Sequence, residues 1–139
     1  MKLKLRRLEE SDYDTLVTWW KDWKWEAPPR DFLPENGTGG FMVSNNDSDI
    51  CAGFIYLTNS KIAWIEFIIS DKQYKEEDRN EAIQFLINSL SGVAEETGAK
   101  YGYAILKNKS LMKYYEEANF TVTSDKNTEM ITIWQQQQQ

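Results

Sequence analysis

The spacing of hydrophobic and polar residues changes several times along the chain, and each change predicts a new element. Leu alternates with Lys or Arg over residues 2–8, which is the period of a strand with one face on a core. Three further strand-like runs follow, at residues 41–44, 50–58 and 62–69. Turn-forming residues at 45–49 and 59–60 join these runs, so the sequence predicts a meander of antiparallel strands.

Helical spacing, with apolar residues three and four positions apart, occurs in three stretches. Ser11 or Asp12 is placed to cap the first helix. The second helix covers residues 81–97 and follows a polar loop at 70–80, and the third covers 110–119. The chain therefore alternates strands with amphipathic helices.

A strand at residues 101–106 and a final hairpin of residues 121–123 and 130–134 complete the pattern. Because residues 101–106 lie between two helices, this strand should pair in parallel through a right-handed crossover. The sequence predicts an α/β (α+β) architecture with a mixed central sheet of about six to seven strands and helices packed against it.

Length and composition limit the organisation of the chain. Hydrophobic residues make up 41% of the 139 residues and aromatic residues 14%, so residues 1–134 should form a single globular domain. Residues 135–139 are all Gln, which cannot bury itself, and we expect a disordered tail there. The net charge of −6 argues against nucleic acid as a partner.

Rare residue types narrow the chemistry further. The chain has no His, which removes the usual general base and zinc ligand and leaves proton transfer to carboxylates, Tyr, Ser or water. We therefore expect no metal. Cys51 is the single Cys and cannot form an internal disulfide. Without an export signal or a long apolar span, we expect a cytoplasmic protein with no membrane partner.

The junction between the fourth strand and the second helix is a candidate anion site. The buried strand at residues 62–69 is followed by a polar loop and then by the start of a helix. The first N–H groups of a helix lack partners and carry partial positive charge. This arrangement suits a phosphate-bearing cofactor.

The run from residue 108 to residue 120 is the part of the chain that points most specifically to a family. Its sequence is Asn-Lys-Ser-Leu-Met-Lys-Tyr-Tyr-Glu-Glu-Ala-Asn-Phe. It resembles the GNAT superfamily of acyl-CoA-dependent N-acyltransferases, in which an Asn is followed by a helix, a Tyr seven residues later and a Gly-Phe ending. Asn108, Tyr115 and Phe120 match that pattern, while Asn119 replaces the Gly. With the order of elements, the resemblance covers residues 2–134 and implies helices on both faces of the sheet.

The resemblance implies two catalytic residues. Tyr115 is expected near the cofactor sulfur, where a neutral Tyr hydroxyl can protonate the departing thiolate. Glu66 in the fourth strand is expected to deprotonate the attacking amine, directly or through water. The alternatives are that Tyr115 packs its ring on the sheet, and that Glu66 pairs with a Lys or Arg or lies at a solvated edge.

The resemblance also implies cofactor contacts. Backbone amides of Ile68, Ile69 and Ser70 should orient the donor, acetyl-CoA, and Asn108 should contact its pantetheine or phosphate part. In the pyrophosphate loop, Lys75 takes the Arg or Gln position of the family, and Arg79 can supply a compensating charge. The main-chain amides of Asp78, Arg79 and Asn80 are expected to bind phosphate oxygen atoms. The family's loop glycines, which let backbone amides approach phosphates, are absent here. The alternative is an ordinary acidic helix start.

The acceptor is expected to be a primary amine of a small molecule or protein, held in the first helix and the loop after it. Trp25 and Glu26 are the candidate substrate-binding residues, since Trp faces attract cations and carboxylates attract amines. Trp20 and Trp23 are expected in the core. The sequence thus predicts an N-acetyltransferase, as a monomer or homodimer. The alternative is a non-catalytic binding or inhibitory module of the same fold that has lost CoA use.

Overall fold

The computed structural model describes residues 1–46 and 48–135. Asp47, within the predicted turn at 45–49, lies outside the described residues, as does most of the Gln tail, residues 136–139. The expectation of a disordered tail is therefore a prediction about residues that the structure does not describe. Gln135 is exposed and belongs to no helix or strand.

Five strands and three α-helices make up the described part of the chain. The strands are β1 (Leu3–Arg7), β2 (Gly40–Asn45), β3 (Ser48–Leu57), β4 (Ile62–Ser70) and β5 (Tyr101–Tyr103). The helices are α1 (Asp12–Asp22), α2 (Glu76–Glu96) and α3 (Met112–Glu117). Short 3₁₀ turns occur at Arg30–Phe32, Pro34–Gly37 and Lys109–Leu111.

The strands form one mixed sheet in chain order, β1-β2-β3-β4-β5. The first three pairings are antiparallel, which confirms the predicted meander. The strand β5 runs parallel to β4, with Ile62 opposite Tyr101 and Trp64 opposite Tyr103. This parallel pairing, with α2 as the crossover, was also predicted from the strand's position between two helices.

Helices cover both faces of the sheet. On one face, the buried side chains of Leu16 and Trp20 from α1 pack with Phe54 and Ile69. On the other face, Leu86 of α2 and its neighbours pack with the remaining inward side chains of the strands and with α3. This two-faced packing is the layered architecture that the sequence indicated.

Two boundaries differ from the predictions. The helix α2 begins at Glu76 rather than after a loop that runs to residue 80. The acidic residues of its first turn, Glu76, Glu77 and Asp78, are favoured there by the helix dipole, so they extend the helix towards its N-terminus. The strand β5 covers three residues instead of 101–106 because the amide of Ile105 bonds to the Glu66 side chain, not to the backbone of β4.

The predicted final hairpin does not form, and the described sheet has five strands rather than six or seven. Residues 121–123 and 130–134 contain no strand, and their side chains are exposed, with Met130 at 89% and Trp134 at 86%. A strand needs a ladder partner, and β5 offers an edge of only three residues. The segment is tied to the fold by an ion pair of Lys107 with Glu129.

A β-bulge in β4 bends the sheet beside this short strand. Ala52 lies opposite Ile69 and Phe54 opposite Glu66, so β4 has one more residue than β3 between these pairs. Phe67 takes up the extra length with a φ of 54°, a conformation that is rare for an aromatic residue. The pairing of β4 with β5 ends at Trp64, just before this bulge.

Candidate active site

The strands β4 and β5 separate immediately after their last pair, Trp64 with Tyr103. Beyond that point, β4 continues through the bulge to Ser70, while the segment that follows β5 leaves the sheet. The carboxylate of Glu66 lies between the two, where its Oε1 accepts a hydrogen bond from the amide of Ile105 at 2.6 Å. A gap between parallel strands of this kind exposes backbone groups to a ligand.

Burial raises the pKa of Glu66 to about 7. The hydrogen bond from the amide of Ile105 opposes this rise, the negative charge of Glu129 adds to it, and Lys107 partly offsets it. A carboxylate with a pKa near 7 exchanges protons readily at neutral pH. Glu66 therefore has the proton affinity that a general base needs.

Tyr115 reaches the same gap from α3. Its hydroxyl group donates a 2.8 Å hydrogen bond to the carbonyl oxygen of Ile65, the residue before Glu66. The side chain is 2% exposed and its ring meets Phe120 edge-on with centroids 5.1 Å apart. Burial, and after it the charge of Glu66, raises the pKa of the Tyr115 hydroxyl well above its usual value. The hydroxyl is therefore neutral at physiological pH.

The side chains of Glu66 and Tyr115 lie on opposite faces of the sheet at β4. Glu66 lies opposite Phe54, on the face that α1 covers. Tyr115 belongs to the core on the face covered by α2. The gap beside β5 is where the two groups come close to one strand, so a proton acceptor and a proton donor flank the same segment of backbone.

A cavity of about 320 Å³ lies at the carboxyl end of β4, between the starts of α2 and α3. Six of the residues predicted to bind cofactor or substrate line it, namely Trp25, Ile68, Ser70, Arg79, Asn80 and Asn108. The structure therefore brings together residues from four separate parts of the chain. This clustering is the feature that the anion-site hypothesis required.

The other predicted binding residues lie outside this cavity lining. Ile69 is 1% exposed and faces the core on the α1 side of the sheet. Lys75 is the residue that precedes α2, and Asp78 lies in the first turn of that helix. Glu26 is exposed in the loop after α1.

Two asparagines that line the cavity hold its walls in place. Asn108 accepts a 2.9 Å hydrogen bond from the amide of Ser110 and thereby caps the short turn that precedes α3. Asn80 accepts a 2.7 Å hydrogen bond from the hydroxyl group of Tyr114. This second bond ties the start of α2 to α3.

The amide of Arg79 is not free to bind phosphate, although the amides of residues 78–80 were predicted to do so. This amide donates to the carbonyl of Lys75 at 2.8 Å and is thus part of the helix. The helix starts earlier than predicted, so the amides that lack helical partners are those of Glu76, Glu77 and Asp78. The Arg79 guanidinium also donates to the carbonyls of Tyr74 and Lys72, at 2.9 and 3.3 Å, and so holds the loop before the helix.

Trp23 is a site residue that the sequence interpretation assigned to the core. Its indole N–H donates a 2.8 Å hydrogen bond to the carbonyl of Ser70, and its ring stacks on Trp25 with centroids 5.5 Å apart. Lys72 and Arg79 lie over the Trp23 ring at 5.2 and 5.4 Å. No local sequence signal marks this role, because Ser70 is 47 residues away along the chain.

The charge around the cavity suits an anionic ligand. Arg79 and Lys113 line it, and Lys72 lies beside Trp23, whereas Glu76 is the acidic residue in the lining. Together with the start of α2, these cations form a local basic site on an acidic chain. The residues present therefore fit a phosphate-bearing ligand, even without loop glycines.

Comparison with solved structures identifies the architecture. An acetyltransferase from Trypanosoma brucei has a TM-score of 0.62 at 20% identity, over 94% of this chain and 100% of that one. The chain has the GNAT acetyltransferase fold. A glucosamine-6-phosphate N-acetyltransferase from Arabidopsis thaliana has a TM-score of 0.64 at 12% identity, over 95% and 100% of the two chains. A Bacillus subtilis acetyltransferase in complex with CoA gives 0.66 at 18%, over 88% and 79%.

Sequence comparison adds nothing to this GNAT fold, since no protein family and no curated protein matches the chain. Within residues 1–46 and 48–135, no group of three or more His, Cys, Asp or Glu side chains is arranged to hold a metal ion. None of the helices that the structure describes is long and apolar enough to cross a membrane.

Proposed function

We propose that the protein is an N-acetyltransferase that moves an acetyl group from acetyl-CoA to a primary amine of a small molecule or protein. One observation carries the proposal. The Glu66 carboxylate and the Tyr115 hydroxyl lie on opposite faces of β4 where it parts from β5, and Ile68 and Ser70, further along the same strand, line a basic cavity. Acyl transfer to an amine needs a proton acceptor, a proton donor and a donor site, and these are the three groups that meet here.

Glu66 acts as the base in this proposal. It accepts the proton that the amine loses while the amine nitrogen forms a bond to the acetyl carbon, directly or through a water molecule. A pKa of about 7 leaves a large fraction of the carboxylate ionised at neutral pH. The support for this role is the position of the carboxylate in the gap, next to exposed backbone of β4.

Tyr115 acts as the acid. As the carbon–sulfur bond breaks, its hydroxyl gives a proton to the departing thiolate, so that the products are the N-acetyl amine and CoA. In the structure this hydroxyl donates to the carbonyl of Ile65, and it must turn from that partner to reach the sulfur. The raised pKa keeps the proton on Tyr115 until negative charge develops nearby.

The cavity at the carboxyl end of β4 binds the donor, which supplies an acetyl group activated as a thioester. Backbone groups of Ile68 and Ser70 orient the pantetheine arm next to the gap. Arg79, Lys113 and the start of α2 take the phosphates, and Asn108 shapes the opposite wall. Because acetyl-CoA is a cytoplasmic metabolite and Cys51 is a free thiol, we place the reaction in the cytoplasm.

An acetyl-transfer assay tests the proposal. The protein is mixed with acetyl-CoA and a panel of small primary amines and amine-bearing peptides, and released thiol is measured. The wild type should release thiol only when an acceptor is present, and Glu66→Gln should lower the rate by about 100-fold or more. The matched control is Glu10→Gln, an exposed residue before α1, which should leave the rate unchanged. Equal rates for wild type and Glu66→Gln would reject the role of Glu66.

A second function is favoured by a specific observation. The indole N–H of Trp23 already donates a hydrogen bond to the carbonyl of Ser70, and the Arg79 guanidinium already donates to loop carbonyls. Both contacts suit a GNAT-fold module that binds a protein partner and no longer uses CoA. Such a module would release no thiol with any acceptor and would not bind acetyl-CoA.

A further inference from the structure

Three aromatic side chains form a row across the α1 face of the sheet. Tyr56 of β3 lies opposite Trp64 of β4, and Trp64 lies opposite Tyr103 of β5. The rings of Trp64 and Tyr103 are 4.3 Å apart between centroids. Residues in register on neighbouring strands point to the same face, so the row is continuous.

Phe67 and Phe32 extend this row over the end of β4. The bulge turns the Phe67 ring towards Tyr56, with centroids 6.3 Å apart, and Phe32 meets Phe67 edge-on at 5.8 Å. Tyr103 and Phe32 are each 46% exposed. We call these five residues, Tyr56, Trp64, Tyr103, Phe67 and Phe32, the aromatic wall. The other three rings are half-buried, so the aromatic wall is a partly exposed apolar surface on which a ligand's apolar group can pack.

The Glu66 carboxylate lies inside the aromatic wall. It follows Trp64 by two positions on the same face of β4, and the tyrosine hydroxyl of Tyr56 is close enough that burial and the Glu66 charge raise its pKa to about 12. Glu129 adds further negative charge near Glu66. Lys107 is the nearby cation, and its ammonium pairs with Glu129 at 3.1 Å. The wall is thus apolar with an acidic centre.

We propose that the aromatic wall is the acceptor site and that the acceptor is a primary ammonium ion carrying an aromatic or bulky apolar group. The inference rests on the proposed acetyl transfer and moves the acceptor away from Trp25, which lines the donor cavity, and from Glu26, which is exposed in the loop after α1. The ammonium group bonds to Glu66 and first releases one proton through this carboxylate to solvent, which leaves the neutral amine that attacks the acetyl group. The apolar body packs on Trp64 and Tyr103.

The chemistry of the wall selects this class of acceptor. A carboxylate has two oxygens, so Oε2 of Glu66 takes an ammonium N–H while Oε1 keeps the amide of Ile105. Aromatic faces attract both cations and apolar groups. An acidic acceptor is disfavoured, because the Glu66 carboxylate repels it and the nearby cation, Lys107, is already paired with Glu129. An amine without an apolar body leaves the exposed rings uncovered and gains little from them.

A direct binding titration tests the wall. Phenethylamine, butylamine and 2-phenylethanol are titrated calorimetrically into the wild-type protein, with and without CoA. Phenethylamine should bind at least about tenfold more tightly than butylamine, which lacks the ring, and than 2-phenylethanol, which lacks the charge. Equal affinity for phenethylamine and butylamine, or no binding of phenethylamine in either condition, would overturn the proposal.

Two variants locate the binding on the wall. Tyr103→Ala should weaken phenethylamine binding by about fivefold to tenfold and leave butylamine binding unchanged. The matched control is Phe85→Ala, which removes a comparably exposed aromatic side chain from α2. If both variants lose the same affinity, or if Tyr103→Ala loses none, the site lies elsewhere and the proposal fails.

Failure of this inference is distinct from failure of the proposed transferase activity. The amine titration requires no acetyl transfer, so it is interpretable whether or not the protein is active. Thiol release with many amines but no preference for aromatic ones would overturn the aromatic wall and leave the transferase in place. Tight binding of phenethylamine without thiol release would reject the transferase, and with it the acceptor role of the wall, while showing that the wall binds aromatic amines.

Discussion

The hydroxyl group of Tyr115 contributes to the fold before it contributes to any reaction, because it donates a buried hydrogen bond to the carbonyl of Ile65. A side chain can have both roles, and they separate by mutation. Loss of the bond to Ile65 affects stability, whereas loss of the proton affects turnover. Substitution of Tyr115 therefore tests whether the residue has a catalytic role.

Tyr115→Phe should lower kcat by about 10- to 100-fold and leave the Kd for acetyl-CoA within about twofold of the wild type. Stability should fall by about 1 kcal/mol through the lost hydrogen bond. The matched control is Tyr13→Phe, which removes a 2.7 Å hydrogen bond to the carbonyl of Pro28 far from the gap. This control should lose similar stability at full kcat. An unchanged kcat in Tyr115→Phe shows that the residue is structural only.

Glu66 predicts the pH dependence of the reaction. The base must be ionised, so kcat/KM should rise with pH through an apparent pKa of about 7 and then level off. In Glu66→Gln this rise should disappear along with most of the activity. Initial rates measured from pH 5.5 to pH 9 check the prediction. A profile that is flat in the wild type contradicts the role of Glu66 as the base.

The same carboxyl group predicts a stability change that does not depend on activity. The pKa of Glu66 is raised from 4.5 to about 7 in the folded state, so its contribution to stability is complete below pH 4.5 and is lost as the pH rises through 7. Glu66→Gln cannot ionise and keeps an acceptor for the amide of Ile105. Urea denaturation should show that its stability relative to wild type increases between pH 5 and pH 8.5.

At the scale of elements, replacing Gly with Ala should have opposite effects in β2, which packs closely on β3, and in α2. A Cβ atom at Gly40 would collide with the carbonyl oxygen of Gly53, whereas a Cβ atom at Gly92 of α2 would meet nothing within 4 Å. Gly40→Ala should therefore destabilise the protein by about 1–3 kcal/mol. Gly92→Ala should stabilise it by about 0.5–1 kcal/mol, since Ala favours helix. Thermal melts of both variants test the contrast.

Local patterns predicted the elements that bury one clear face. The alternation of β1, the meander and the helical spacing of α2 all follow from the sequence. Asn119, where the third helix was predicted to end, has a φ of 74° and so adopts a left-handed conformation. The bulge at Phe67 and the short β5 were not predicted. Both depend on contacts between β3, β4 and the residues after β5, and a strand period read along one segment does not contain them.

The candidate site divides in the same way. Asn108 and Tyr115 were proposed because the run that contains them resembles the GNAT pattern, and Glu66 because of that resemblance and its place in an apolar strand; their roles stay predictions. Trp23 was not proposed as a site residue, because its hydrogen bond to Ser70 joins two elements that the local sequence does not relate. The opposite faces from which Glu66 and Tyr115 approach β4 also emerge only once the strands are paired.

At the scale of the whole molecule, we propose that the donor and the acceptor bind on either side of one gap in the sheet. The basic cavity lies by α2 and α3, and the aromatic wall lies on the face that α1 covers. The carboxylate of Glu66 lies in the gap between β4 and the segment after β5. An acidic chain that holds a local basic cavity should bind CoA through its phosphates.

Calorimetric titration with acetyl-CoA, with dephospho-CoA as the comparison ligand, tests whether the basic cavity binds CoA. We expect binding with a Kd on the order of micromolar, a lower affinity for dephospho-CoA, and a rise in melting temperature with ligand concentration. No detectable heat and no change in melting temperature with either ligand would show that the cavity does not bind CoA, and would favour the module that binds a protein partner instead.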